Sequence, residues 1–381
     1  MKIGILCYPT YGGSGIVATE LGMALADKGY EVHFISNNLP ARLDITNPNI
    51  FFHKVNLQTY PLFQYQPYDI ALSSMIYRVV NLYKLDLLHA HYAIPYAYAA
   101  FTAKQMLKEE GKDVPLVTTL HGTDITLVGQ FPSYKHAVEF SINQSDAVTS
   151  VSESLKKDTL KAFNITKPIE VITNFIDNTV FTPEIPCQRD QFAKKDEKIL
   201  IHVSNLRPVK RIQDVLQIFK NVQAKIKSKL VIIGEGPDME LVNQFLEQNP
   251  ELIDKIRLLG KVNDLYRILE LSDVFLLPSE QESFGLAALE AMAAATPVIS
   301  SNAGGIPEVN IQGVTGYLAE IGNVEVMSNY TIKLLSDPEL LCQMKVNAKH
   351  QAESFDLHKI VPLYEEMYKR TTEKFLNSKN T

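Results

Sequence analysis

The sequence predicts an α/β protein built of two Rossmann-like domains facing across a cleft. Short, near-continuous apolar runs alternate with helical patterns along most of the 381 residues, as strands of parallel sheets covered on both faces do. The alternation pauses once, over "NFIDNTVFTPEIPCQRDQFAKKDEK", which carries two prolines, mixed charge and little periodicity. The length itself suits about two domains of ~100–200 residues.

Taken in order, the first block offers the strands "KIGILCY", "EVHFIS", "IFFHKV", "DLLHAH", "LVTTLH" and "AVTSVS". The second offers "KILIHVS", "LVIIGEG", "IRLLG", "VFLLP" and "PVISS". Helical patterns such as "GIVATELGMALADKGY" and "IQDVLQIFKNVQAKI" lie between them, as right-handed βαβ units require. The expected organisation is a first domain over 1–173, a linker over 174–197 and a second domain over 198–358. A final amphipathic helix over 359–381 is expected to pack back on the first domain. In sheets of this kind ligands bind beyond the C-terminal ends of the strands.

Hydrophobic residues make up 46% and charged residues 21%, an ordinary balance for a globular chain with a large core. A net charge of −6 argues against nucleic acid as a partner. Cys7, Cys187 and Cys342 share no metal or redox spacing, so reduced thiols in a cytoplasmic protein are expected. Met1-Lys2 runs straight into a strand pattern, so no signal peptide is expected, and no apolar stretch has bilayer-spanning length.

Residues Gly13-Ser-Gly15-Ile-Val-Ala18 fit the pattern that opens a dinucleotide-binding unit. Two further demands fail. Pro9-Thr10-Tyr11 lengthen the loop before Gly12, and the second strand ends in Ser36-Asn37-Asn38, where a ribose-binding acid belongs. A nicotinamide cofactor is therefore not expected. Gly12 and Gly13 still let backbone N–H groups approach a ligand at a helix N-terminus, which suits a phosphate or a carboxylate.

The stretch "SEQESFGLAALEAMAAATPVISSNAGGIPE" carries Glu282 just ahead of a helix that should start near Ser283–Gly285, and Glu290 inside it. Eight helical positions rise roughly 12 Å, whereas the carboxylates of glycoside hydrolases sit about 5–9.5 Å apart. The spacing favours gripping two ends of an extended ligand. The N–H groups of Ser283, Phe284 and Gly285 would meet a diphosphate between them. Glu282 would accept sugar hydroxyls on one side, and Glu290 would reach a ribose on the other.

At these residues the chain resembles the family 4 retaining glycosyltransferases of GT-B architecture. The resemblance runs over nearly the whole length, through the Gly-Gly loop, "LHGTD" (120–124), "VITNFID" (171–177), "GEGP" (234–237), Glu282…Glu290 and "GGIPE" (304–308). It implies that the first glutamate contacts the donor sugar and the second holds the ribose. It also implies a basic pair on the loop "HVSNLRPVKRIQD", here Arg207 and Lys210, holding the diphosphate. The family usually places arginine directly after a glycine, five residues before the lysine; this chain has Ser204-Asn205 there, and Arg207 is displaced by two positions. Further donor contacts are expected at Gly13, Asn205, Val262 and Leu286.

The wording "SNLRPVKR", "HAHYAIPYA" and "TLHGTDIT" resembles the bacillithiol-pathway branch of that family. What it implies is transfer of N-acetylglucosamine from UDP-GlcNAc to the hydroxyl of L-malate, with a front-face mechanism. Neither a metal nor a cofactor is then expected. The family's histidine at "LHGTD" binds the transferred sugar, a role that falls on His121. An acceptor with two carboxylates needs cations or N–H donors, for which Gly12, Gly13, Ser14, Tyr92, Thr123 and Lys135 are the candidates. The expected catalytic set is His121, Arg207, Lys210 and Glu282.

His89 and His91 alternate on one strand and share a face, where packing or hydrogen bonding is expected rather than metal ligation. The aromatic stretch Tyr60, Phe63, Tyr65, Tyr68 is expected to pack in the ordinary way, since no basic cluster beside it supports membrane docking. Three rivals remain: a transferase with a lipid or polysaccharide acceptor, which shares every donor-side feature, a sugar-nucleotide epimerase of the same two-domain architecture, and a two-domain binding protein without chemistry. No motif sets the oligomeric state, so a homo-oligomer stays open.

Overall fold

The computed structural model describes residues 1–181, 189–262 and 264–379. The chain divides into two compact units, Met1–Phe175 with Leu357–Thr381, and Ile176–Asp356.

The first unit holds β1 (Lys2–Leu6), β2 (Glu31–Ser36), β3 (Ile50–Lys54), β4 (Leu87–His91), β5 (Leu116–Leu120), β6 (Ala147–Ser150) and β7 (Ile169–Val171). They form one sheet of order β3-β2-β1-β4-β5-β6-β7, parallel throughout. The second unit holds β8 (Lys198–Val203), β9 (Ser228–Ile233), β10 (Ile256–Leu258), β11 (Val274–Leu277), β12 (Val298–Ser301) and β13 (Gly316–Ala319). Their order is β10-β9-β8-β11-β12-β13, again parallel. Strand order reverses between β1 and β4 in one sheet and between β8 and β11 in the other. Each sheet thus opens a crevice at the C-terminal ends of those two strands.

The helices hold the sheets by their apolar stripes. On Ile212–Gln223, Ile212, Val215, Leu216, Phe219 and Val222 recur every three or four residues and are fully buried. Each such side chain contributes about 1.5–3 kcal/mol, which anchors the loop that runs into this helix. In the first unit, Gly15 lets the helix Gly13–Asp27 lie on the preceding loop: a Cβ there would sit 2.4 Å from the Thr10 carbonyl. This glycine of the G-x-G-x-x-A pattern serves packing.

The final helix, Leu357–Lys379, belongs with the first unit. Its Tyr364 and Tyr368 are fully buried, the Tyr30 hydroxyl donates to Glu365 at 3.0 Å, and Lys28 pairs with the same carboxylate. Much of the expected linker is built into the second unit. Ile176 bridges to Asp356, and Arg189 bonds the Leu271 carbonyl, the Glu197 carbonyl at 3.0 Å and the Asp273 carboxylate at 2.7 Å. Residues 182–188, with Cys187, lie outside the described residues. Cys7 is buried just past β1, where desolvation pushes its thiol up to about 12. Cys342 is exposed. No described helix is long and apolar enough to cross a membrane.

The aromatic stretch departs from expectation. Tyr60, Phe63 and Tyr65 are exposed, as is Leu62 between them; only Tyr68 turns its hydroxyl inward. Prolines at 61 and 67 hold this segment out of helix and strand.

Candidate active site

In the second unit, the loops leaving β8 and β11 carry the predicted donor residues. They are tied together by the Glu280 N–H, which donates to the Val209 carbonyl at 2.8 Å. The Lys210 ammonium pairs with the Glu282 carboxylate, to which the Ser279 hydroxyl also donates at 3.1 Å. Both partners keep a minor part of their side chains in solvent, 20% for Lys210 and 13% for Glu282. Water therefore weakens the pair but does not dissolve it. Arg211 braces the same loop, bonding Asp214 at 2.7 Å and lying 3.9 Å from Glu280.

Behind this loop a buried chain sets its shape. His202 lies 2.9 Å from the Leu276 carbonyl through Nδ1 and 2.8 Å from the Ser204 hydroxyl through Nε2. Burial pushes its pKa down to about 4, so the ring is neutral. A carbonyl only accepts, so Nδ1 donates to Leu276 and Nε2 accepts from Ser204. The Ser204 oxygen in turn accepts the Leu206 N–H at 3.1 Å. Arg207 and Asn205 project from this fixed turn and are exposed.

Gly285, in the left-handed region with φ 97°, turns the chain into the helix Leu286–Ala293. Its first intrahelical bond is the Leu289 N–H to the Gly285 carbonyl at 3.0 Å. The amides without a partner inside the helix are therefore those of Leu286 to Ala288. Gly285 caps the helix, so its expected amide stands at the helix opening, and those of Ser283 and Phe284 lie on the loop just before it. Phe284 is an anchor: it is buried, with its ring 5.5 Å from that of Phe355. Glu290 lies half-buried in the middle of the helix, as expected. Close contact fixes Glu282 from below, since a Cβ on Gly304 would fall 2.0 Å from the Glu282 carbonyl. Val262 is half-buried beyond β10, two strands from the switch point.

In the first unit, the loops leaving β1 and β4 are again those at the switch point. Gly12 precedes the helix Gly13–Asp27, accepting the Gly15 and Ile16 amides at 2.9 and 3.1 Å. Gly12 and Gly13 are exposed and Ser14 is half-buried. Tyr92 follows β4 and His121 follows β5, with ring centres 5.2 Å apart. His121 Nε2 lies 2.8 Å from His91 Nδ1. His89 is bound at 2.7 Å by both the Tyr368 hydroxyl and the Thr119 hydroxyl. Burial pushes His89 and His121 down to about 3 and His91 well below its ordinary value, so all three are neutral. Among the described residues no group of three His, Cys, Asp or Glu has metal-site geometry. Thr123 is half-buried beside His121. Lys135 is exposed in the first turn of the helix Pro132–Gln144, with no hydrogen bond to this cluster among the described residues.

Sequence reasoning named Lys210 and Glu282 separately and missed their pairing, along with the Ser279 hydroxyl that shares the carboxylate. The signal was the serine three residues ahead of Glu282 at the end of an apolar strand.

Two doubly wound parallel sheets, each with a crevice at its switch point, are the architecture of the GT-B fold. The structure is similar to the sucrose-phosphate synthase of Thermosynechococcus elongatus, with TM-score 0.82, 19% identity and 97% and 98% of the two chains covered. It is also similar to Anabaena HepE in complex with UDP-glucose, with TM-score 0.80, 20% identity and 97% and 100% covered. The chain belongs to glycosyltransferase family 4: residues 11–180 match the model "Glycosyltransferase Family 4" and residues 185–351 match "Glycosyl transferases group 1". It is 46% identical over 371 residues to the N-acetyl-alpha-D-glucosaminyl L-malate synthase of Bacillus anthracis, covering 97% of this chain and 96% of that one. An uncharacterized glycosyltransferase of Methanocaldococcus jannaschii is 28% identical over 361 residues, covering 88% and 90%.

Proposed function

We propose that this glycosyltransferase moves N-acetylglucosamine from UDP-GlcNAc to the hydroxyl of L-malate with retention of configuration. The observation that carries the reading is the 46% identity, over nearly the full length of both chains, to a protein named for that product. The local chemistry supports it. Departure of UDP builds negative charge on the diphosphate, and Arg207, Lys210 and the amides opening the helix Leu286–Ala293 are the groups able to stabilise it. Glu282 takes the sugar hydroxyls once Lys210 turns to phosphate, and Glu290 takes the ribose. In the acceptor half, Tyr92, Thr123, His121 and the Gly12–Gly13–Ser14 loop serve the malate and the sugar.

The step proceeds on one face of the sugar. The malate oxygen bonds to the anomeric carbon as the carbon–oxygen bond to the β-phosphate breaks. The leaving phosphate oxygen takes the malate proton, so the step needs neither a protein base nor a metal. UDP release from UDP-GlcNAc, measured with and without L-malate, tests the reading: malate-dependent release with an α-linked product is expected. Release unchanged by malate, or a β-linked product, contradicts it.

A second reading, a lipid-linked acceptor, draws on the exposed Tyr60, Leu62, Phe63 and Tyr65. Transfer to lipid acceptors in place of soluble hydroxy acids would favour it.

A further inference from the structure

The residue that follows "HGT" in the first unit was given no role by the donor or acceptor chemistry. Asp124 is 2% exposed, and its two carboxylate oxygens serve two different loops. Oδ2 accepts the Ala93 N–H at 2.8 Å, and Oδ1 accepts the Gly122 N–H at 3.2 Å. Ala93 is the residue after Tyr92, and Gly122 is the residue after His121. Tyr92 stands at φ 94° and ψ 141°, a conformation that a bulky side chain adopts only where its surroundings impose it.

We propose that Asp124 is a positioning residue that ties the Tyr92 loop to the His121 loop and so presets the acceptor half of the site. The inference rests on the reading that Tyr92 and His121 serve the acceptor and the sugar. Accepting from backbone N–H groups stabilises the carboxylate, yet burial outweighs them and pushes the Asp124 carboxyl up to about 6. A charge held where burial disfavours it is kept for geometry at the expense of stability.

Asparagine cannot replace it. The amide has one acceptor and one donor end, so in either orientation one of the two loops meets an N–H with an N–H. The ionisable groups around the cluster are Tyr8, Tyr92, Tyr96, His91 and His121. Glu153 and Lys156, on the helix packed against residues 123–127, lie 3.8 Å from each other. Tyr8 is pushed up to about 12, Tyr96 is raised further, and His121 is pushed down to about 3.

The test is Asp124→Asn in the full chain, read by hydrogen exchange, UDP affinity and sugar transfer. Expected are at least tenfold faster exchange in residues 92–97 or 121–127, a rise of at least tenfold in KM for L-malate, and UDP affinity within twofold of wild type. Unchanged exchange in both segments overturns the tie, whichever acceptor the enzyme uses. Faster exchange with transfer kinetics within twofold of wild type overturns the positioning role. If the variant does not fold, the wild-type amide resonances decide. Ala93 and Gly122 should shift together with one midpoint near 6, and independent or absent shifts overturn the proposal.

Discussion

The two switch points share one topology and differ in chemistry. In the first unit, the groups behind the strand ends are neutral and sealed: His89, His91 and His121 are all held below their ordinary range by burial. In the second, the Lys210–Glu282 ion pair and Arg207 stand partly in solvent on loops at the strand ends. A fold supplies the crevice, and side chains decide what it does. A sealed, preset framework holds a geometry, whereas charges that can exchange partners can follow a charge that grows during a reaction.

The comparison breaks most readily at Lys210. In Lys210→Ala, kcat/KM for sugar transfer should fall by roughly 10²–10³-fold, the usual loss of one stabilising group at a developing anion; steady-state kinetics would show it, and activity within tenfold of wild type would remove Lys210 from the charge-bearing half. The next effect lies in the first unit. Asp124 has its carboxyl raised to about 6 in the fold, above the ordinary value near 3.9. Between those values the unfolded chain has lost the proton that the folded chain keeps, so stability falls as pH rises through that window. The loss is on the order of 2–3 kcal/mol. Urea unfolding followed by circular dichroism should show this slope in wild type and not in Asp124→Asn.

Glu290→Ala sharpens the donor side. Losing a charge-assisted hydrogen bond of about 1.5–3 kcal/mol should weaken UDP binding by roughly tenfold or more in calorimetry, with malate KM unmoved. The smallest effect is expected at Tyr368→Phe, which deletes the 2.7 Å bond to His89. It should cost about 1 kcal/mol of stability and leave UDP affinity alone.

Most of the fold was legible because buried parallel strands read as apolar runs. The two strands that escaped, "IEV" at β7 and "GYLA" at β13, are the last edge strand of each sheet. Edge strands are short and pair on one side only, so "IEV" can carry a central glutamate and "GYLA" can begin on glycine without disturbing a core. Among the candidate residues, Glu282 and Glu290 stood out by their spacing around one helix start, and Lys210 by the family resemblance of its loop. The Lys210–Glu282 pair spans 72 positions, and Asp124 reaches Ala93 across 31, distances over which a linear pattern carries no signal. The aromatic stretch misled for the opposite reason: its composition reads as core, and its prolines decide otherwise.

A crystal structure with UDP bound tests the account most directly. The pyrophosphate is expected within hydrogen-bond reach of Lys210 or Arg207 and of the amides of Leu286 to Ala288, with Glu282 released from Lys210. A pyrophosphate bound away from residues 207–210 and 285–288, with the ion pair intact, would contradict it.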